Sequence, residues 1–294
     1  FDSSLEFSFI LGEYLANLYY LDKKWVINNI NRIFPKDKEI YWKAAFTGYL
    51  SYSSRIYKEI YFLLRENEHY AKALKTDFRE QHIAERLVQH ICIGYIEGWG
   101  KLEDENSLIY KLIEYKDATQ LSEIVNFFWR LRDKLTDKIK VKIKPLWKEL
   151  FNKIVVPELV TLKLGSPQVE TSEYQKVISE LSKWLSLIDE IDDEILDWLK
   201  LSARYIEGVN TSFFIEYLLQ HAHTEPEKVG EIYLEMLDSR VYPDYKKENI
   251  KGIIQTLYKE GQKELADRIC NMYGAKDYDF LRELYEKHKS DKYE

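Results

Sequence analysis

Residues 177–206 read VISELSKWLSLIDEIDDEILDWLKLSARYI, and they decide the fold class. Val177, Ile178, Leu181, Trp184, Leu185 and Ile188 recur at the three- and four-residue steps of one helical face. Ile191, Ile195, Trp198, Leu199, Tyr205 and Ile206 repeat the pattern directly afterwards. Asp192-Asp193-Glu194 places three carboxylates between the two stripes. They suit the positive end of a new helix dipole. The segment therefore reads as two amphipathic helices joined by a short link.

The same signal extends in both directions. Ile56, Ile60, Leu63 and Leu64 share a face upstream. Downstream come Val229, Ile232, Tyr233, Met236 and Leu237; Ile250, Ile253, Ile254, Leu257 and Tyr258; Leu265, Ile269, Met272 and Tyr273; and Leu281, Leu284, Tyr285 and His288. Thr224 with Pro226, Ser107 after Asn106 and Thr211 after Asn210 read as helix starts, and Gly98, Gly208, Gly261 and Gly274 as helix stops. About fourteen helices are expected, each of roughly 9–20 residues. Gly (11) and Pro (6) are too scarce for the closely spaced turns of a sandwich, barrel or propeller. The expected architecture is all-α, an α-solenoid of stacked helical hairpins in a HEAT- or TPR-like superhelix. Tyr95-Ile96-Glu97-Gly98 recurs as Tyr205-Ile206-Glu207-Gly208, which suggests internal duplication. The densest loop signal is Val155 to Ser172, with Pro157 and Gly165-Ser166-Pro167. It divides the chain into N-terminal repeats 1–165 and C-terminal repeats 166–294, read as one continuous array.

The chain has 294 residues, 45% hydrophobic and 32% charged, with a net charge of −7. Such acidity argues against general nucleic-acid binding. Cys92 and Cys270 sit among apolar neighbours and read as reduced core residues, which fits a cytoplasmic protein. No apolar run reaches membrane-spanning length. The chain opens Phe1-Asp2-Ser3-Ser4-Leu5, without Met, so it reads as a piece of a longer protein or a processed one.

Catalytic and cofactor signatures are missing: there is no phosphate loop, no G-x-S-x-G elbow, no H-E-x-x-H and no metal-spaced cysteine pair. No enzyme activity and no cofactor are expected. His82 and His90 are eight apart on a helix, which reads as an interfacial pair rather than a metal site. His221 and His223 read as contacts to a helix's carbonyl end. Residues 130–153 hold nine basic and three acidic side chains, and residues 168–200 nine acidic and three basic ones. The two stretches either face each other structurally or mark a basic surface awaiting an acidic partner. Lys138, Lys140, Lys142 and Lys144 alternate with Ile139, Val141 and Ile143 ahead of Pro145, Trp147 and Lys148. This reads as a helix start or an extended lead-in, with Pro145 in the first turn of the helix that follows. Those lysines with Trp147 are candidate contacts for a partner. So are Tyr49, Tyr52, Tyr57 and Tyr61, from a composition holding 23 Tyr, 13 Phe and 7 Trp. Most aromatics are expected in the packing seams, a minority on a concave face.

Two stretches carry a family likeness. One is Ala44-Ala45-Phe46-Thr47-Gly48-Tyr49-Leu50 with Arg55-Ile56-Tyr57 and Tyr61; the other runs from Glu264 to Gly274, with Phe280-Leu281-Arg282 after it. They resemble the C-terminal helical-repeat regions of large multidomain bacterial proteins of the defence-type, signal-transducing ATPase kind. That resemblance implies a recognition or scaffolding arm whose catalytic motifs lie outside the segment, so no catalytic residue is carried over. The functional expectation is a non-catalytic module that binds a protein partner or other domains of a longer chain. The alternatives are a nucleic-acid sensor acting through residues 130–153, and an enzyme with an unrecognised helical active site.

Overall fold

A computed structural model describes residues 4–52, 55–155 and 173–290. The loop reading of Val155 to Ser172, and with it the expected division at 165/166, falls on residues 156–172 and so outside them. Three quarters of the structure is helical, with seventeen α-helices and no strand among the described residues. In chain order these are α1 (Leu5–Glu13), α2 (Leu15–Leu21), α3 (Lys23–Ile33), α4 (Glu39–Tyr52), α5 (Lys58–Glu66), α6 (His69–Ala73), α7 (Gln81–Ile96), α8 (Leu108–Glu114), α9 (Ala118–Arg130) and α10 (Asp137–Leu150). They continue with α11 (Glu173–Leu181), α12 (Asp193–Arg204), α13 (Gly208–His221), α14 (Pro226–Asp238), α15 (Lys247–Lys259), α16 (Lys263–Gly274) and α17 (Arg282–Ser290). The contacts divide the chain into two compact units. One is Phe1–Phe127 with Lys144–Glu149, the other Phe128–Ile143 with Leu150–Glu294.

In the first unit, α1 and α4 cross at backbone contact. A Cβ on Gly12 would stand 1.8 Å from the carbonyl oxygen of Ala45, and one on Gly48 would stand 2.0 Å from that of Phe9. Only residues without a side chain allow this approach, which accounts for the small residues around Ala44–Gly48. Beside the crossing lies an aromatic core: Phe34, Trp42, Phe46, Tyr61 and Tyr70 are all buried. Trp42 and Phe46 stack at 5.2 Å, and Phe46 meets Tyr70 edge-on at 5.7 Å. Polar links step regularly along the chain, with Glu39–Lys72 at 2.6 Å, Gln89 donating to Glu123 at 3.2 Å and Lys43 donating to the Asp77 carbonyl. The last two each span 34 residues.

In the second unit alternate helices pack on one another. α12 rests on α14 and α14 on α16; α13 rests on the 3₁₀ segment Ser182–Leu187 and on α15, which in turn meets α17. Helices α12, α14 and α16 start at Asp193, Pro226 and Lys263, steps of 33 and 37 residues. Ion pairs tie successive members of the rows: Lys200–Glu231, Arg204–Glu235 at 2.6 Å, Lys246–Glu216 at 2.6 Å and Arg268–Asp238 at 2.8 Å.

The buried stripes match expectation: Val177, Ile178, Leu181, Trp184, Leu185, Ile195 and Leu199 are in the core, and so are Val229, Ile232, Tyr233, Met236 and Leu237. Several local readings change. The stripe at 177–188 is not one α-helix, because after Leu181 it tightens to 3₁₀. Its three-residue turn keeps Leu181, Trp184 and Leu187 inside together, and Ser182 and Ser186 each donate to the carbonyl three residues back. Asp192 caps α12 by accepting from the Ile195 amide at 3.0 Å, as expected. At α14, by contrast, Glu225 is the cap position while Thr224 donates to the His221 carbonyl, and Thr211 lies inside α13.

Gly98 (φ +74°) ends α7, and the Trp99 amide donates back to the Gly94 carbonyl at 2.8 Å. Gly208 (φ +54°) instead opens α13. The two Tyr-Ile-Glu-Gly copies thus hold different places, one at a helix end and one at a helix beginning. More helices occur than expected because an apolar stripe runs on through short breaks. Tyr14 alone separates α1 from α2, and Asp22 both ends α2 and caps α3.

Candidate functional site

The predicted residues fall into three groups, the lysines of α10, the histidines and the tyrosines, each with its own surroundings. Lys138–Lys144 is α-helical, and Pro145 lies inside α10 rather than in a first turn. At about 100° per residue, alternate lysines do not align on a helix as they would on a strand. The buried stripe of α10 is Ile143, Leu146, Trp147 and Leu150. Lys138 and Lys142 flank it on one side; Lys140, Lys144 and Lys148 flank it on the other. Trp147 is fully buried rather than displayed among the lysines. Lys140 pairs with Asp189 at 2.6 Å, joining the basic and acidic stretches of the sequence at an exposed point.

The histidines also part. His82 is exposed, 3.5 Å from Glu80. His90 is buried and its Nδ1 lies 3.1 Å from the Tyr70 hydroxyl, which meets the Tyr49 hydroxyl at 3.1 Å. His69, which the sequence did not single out, is buried too, accepting at Nδ1 from the Trp42 indole at 3.2 Å, while its Nε2 has no partner. Burial, aided by nearby Lys36 and Lys72, lowers the His69 pKa to about 4; burial, with Arg86, lowers that of His90 to about 3. Both rings are neutral at physiological pH. His221, at the end of α13, contacts the Leu185 carbonyl at 3.2 Å. It thus meets the carbonyl end of a neighbouring helical segment rather than that of its own helix. Cys92 and Cys270 are buried and form no disulfide, and burial pushes the Cys270 thiol up to about 11. No cluster of three or more His, Cys, Asp or Glu among the described residues could hold a metal ion, and no described helix is long and apolar enough to cross a membrane.

The tyrosine group does contain a site. A cleft of about 480 Å³ opens in the first unit between the end of α1, the face of α2, Tyr49 of α4 and the segment Arg55–Ile60. Its walls are mainly apolar and aromatic, from Tyr19, Tyr20, Leu21, Tyr49, Tyr57 and Ile60, with Glu13, Asn17, Arg55 and Glu59 as polar members. Tyr49 lies at its floor, 5% exposed, its hydroxyl turned to Tyr70; burial drives its pKa upward, so it stays neutral. Tyr57 is 44% exposed, whereas Tyr61 is in the core. The side chain of Tyr52 lies outside the described residues. Tyr20 and Leu21, at 90% and 78% exposed, were missed by the sequence reading. A signal was present, because Leu15, Leu18, Tyr19, Tyr20 and Leu21 make α2 apolar on every side, so it cannot bury all its apolar surface in a single packing face.

Comparison with protein-family models, with curated proteins and with solved structures finds no match to this chain.

Proposed function

We propose that this chain is a non-catalytic binding and scaffold module, an α-solenoid of stacked helical hairpins that recognises a protein partner. The architectural half of the reading is supported by the step length. Helix rows advance by 33 and 37 residues in the second unit, and polar links in the first span 34. Such steps are close to the 34-residue TPR unit, and near-neighbour contact is the rule in stacked repeats. In keeping with the resemblance of its two aromatic and alanine-rich stretches, the module serves as the recognition arm of a longer signal-transducing protein.

The binding half is carried by one observation. Among the described residues, most large exposed hydrophobics fall between Leu5 and Tyr57 in the sequence, and three of them, Tyr20, Leu21 and Tyr57, line the tyrosine cleft; Val141, Val209 and Tyr245 lie elsewhere in the chain. A concentrated apolar surface rimmed by polar residues is the footprint of a protein contact.

A photo-crosslinking residue placed at Tyr20 or Tyr57 tests this reading in cells expressing the chain, with exposed Lys259 as the control position. Discrete protein adducts from the cleft positions and none from the control are expected. Nucleic-acid adducts, or equal labelling from all three positions, overturn it. A nucleic-acid sensor would instead lose oligonucleotide binding in the Lys140→Glu/Lys144→Glu double variant and show a steep salt dependence.

A further inference from the structure

The tyrosine cleft is not simply greasy. Two carboxylates, Glu13 and Glu59, stand in its wall against a single cation, Arg55. Tyrosine ring faces carry the negative side of the aromatic quadrupole and attract cations within about 6 Å of the centroid. Two of these rings already draw cations of the chain itself: the Arg55 guanidinium carbon lies 5.5 Å from the Tyr57 centroid, and Lys23 Nζ lies 5.5 Å from that of Tyr19. The ring faces are therefore placed to receive positive charge. The volume is within the ~300–1,000 Å³ range of clefts that enclose a compact ligand, so it suits a few side chains rather than a whole helix.

We propose that the cleft takes an arginine- or lysine-bearing segment of a partner protein, with the cation against the tyrosine faces and the Glu13 and Glu59 carboxylates and the aliphatic stem along Leu21 and Ile60. This rests on the protein-partner reading above and adds the chemistry of the bound segment. An acidic segment or a nucleic-acid backbone would meet two carboxylates there. Arg55 occupies the place of the incoming cation and acts as an internal competitor. That assigns opposite signs to neighbouring substitutions: removing Arg55 strengthens binding, whereas neutralising Glu13 and Glu59 weakens it. A cleft that reads only apolar shape responds to neither.

The test uses the whole 294-residue chain and a fluorescein-labelled heptapeptide with one central arginine between leucines. Two partner probes replace the arginine, one with citrulline, which has the same shape without the charge, and one with glutamate, which reverses it. The arginine peptide should bind at least about tenfold tighter than the citrulline peptide, the order expected for a partly desolvated cation on aromatic faces. Glu13→Gln with Glu59→Gln should remove most of that preference, Tyr57→Ala should weaken both peptides, and Arg55→Ala should tighten the arginine peptide several-fold. The glutamine variants are isosteric and lie outside the buried core, and a thermal melt matching the parent verifies their fold. Equal binding of the two peptides, an unchanged preference in the glutamine variant, preference for a glutamate peptide, or no binding of any peptide overturns the proposal. Equal binding of both peptides, or preference for the glutamate one, leaves the protein-partner reading standing, and the crosslinking experiment judges that reading separately.

Discussion

The two units step along the chain at nearly the same interval but close their seams with different chemistry. In the first unit the seam is aromatic within, with the Glu39–Lys72 pair and the Gln89–Glu123 link at its edge. Helices α1 and α4 touch backbone to backbone, rings fill the space beside them, and the Trp42–His69 and Tyr49–Tyr70–His90 links run among the rings. In the second unit aliphatic side chains share the interior with Phe128, Trp184 and Phe214 and with the buried tyrosine pair Tyr233–Tyr273 at 2.8 Å, and a row of ion pairs runs along the rim. The same step is therefore held with different emphasis, by a backbone crossing and rings in one unit and by a longer row of ion pairs in the other. A backbone crossing concentrates sensitivity in a few atoms; a row of ion pairs spreads it thinly.

The sharpest break in this comparison is at the glycine crossing. Gly12→Ala combined with Gly48→Ala drives two methyl groups into backbone oxygens that cannot rotate away. A loss of about 6 kcal/mol is expected, at the upper end of overpacking costs for each site, seen as a collapse of the urea midpoint. In the second unit Gly274, whose added Cβ would meet nothing within 4 Å, serves as the control. Gly274→Ala should be neutral or stabilising by up to about 1 kcal/mol, as the unfolded chain loses freedom.

Acid comes next. Unfolded histidine titrates near 6.5, but His69 and His90 hold to about 4 and 3 when folded. Between those values the unfolded chain binds the extra protons, so stability rises with pH and is lost as pH falls from about 6.5 toward 3. By pH 4.5 the two rings together should cost about 5 kcal/mol relative to pH 7.5. His90→Gln, which cannot titrate, should flatten the curve of urea midpoint against pH by one proton's worth. A slope identical to the parent's would refute the assignment. His221 is lowered as well, by burial, with the Leu185 carbonyl acting in the opposite direction, so the second unit adds to the same trend.

Smaller effects separate the seams further. Tyr70→Phe strips the hydroxyl from between Tyr49 and His90 and leaves buried groups without it, so a loss of about 2 kcal/mol is expected. Tyr233→Phe leaves Tyr273 still donating to the Pro243 carbonyl at 2.9 Å, and should cost about 1 kcal/mol. Thermal melts of the two variants compare them directly. Arg204→Met, at the ion-pair rim, should cost less than about 1 kcal/mol, and less again in 0.5 M salt.

Much of the helical content was legible in advance because an amphipathic helix writes its buried face at a fixed spacing: Val229 through Leu237 and Ile250 through Leu257 are buried as read. The breaks were less legible. At residues 181–187 the apolar spacing suits α and 3₁₀ geometry alike, and Gly208 carries the left-handed backbone of a stop while beginning a helix. The lysines of α10 show the same ambiguity, since strict alternation means one face on a strand and two flanks on a helix. Of the candidate aromatics, Tyr49 and Tyr57 do meet at one cleft, yet Tyr61 and Trp147 are interior. Tyr20 and Leu21 complete the cleft from a helix that sequence spacing gave no reason to place there.

Composition and periodicity, by themselves, settled that this chain is helical, which faces of its helices turn inward, and that its cysteines are interior. Each of these depends on neighbours within a few residues. The backbone contact at Gly12 and Gly48, the neutral histidines and the assembly of a tyrosine cleft from the α1–α2 stretch, Tyr49 and Arg55–Ile60 were decided only by tertiary packing. Desolvation and close approach depend on residues tens of positions away, and a linear pattern carries no record of which of them will meet.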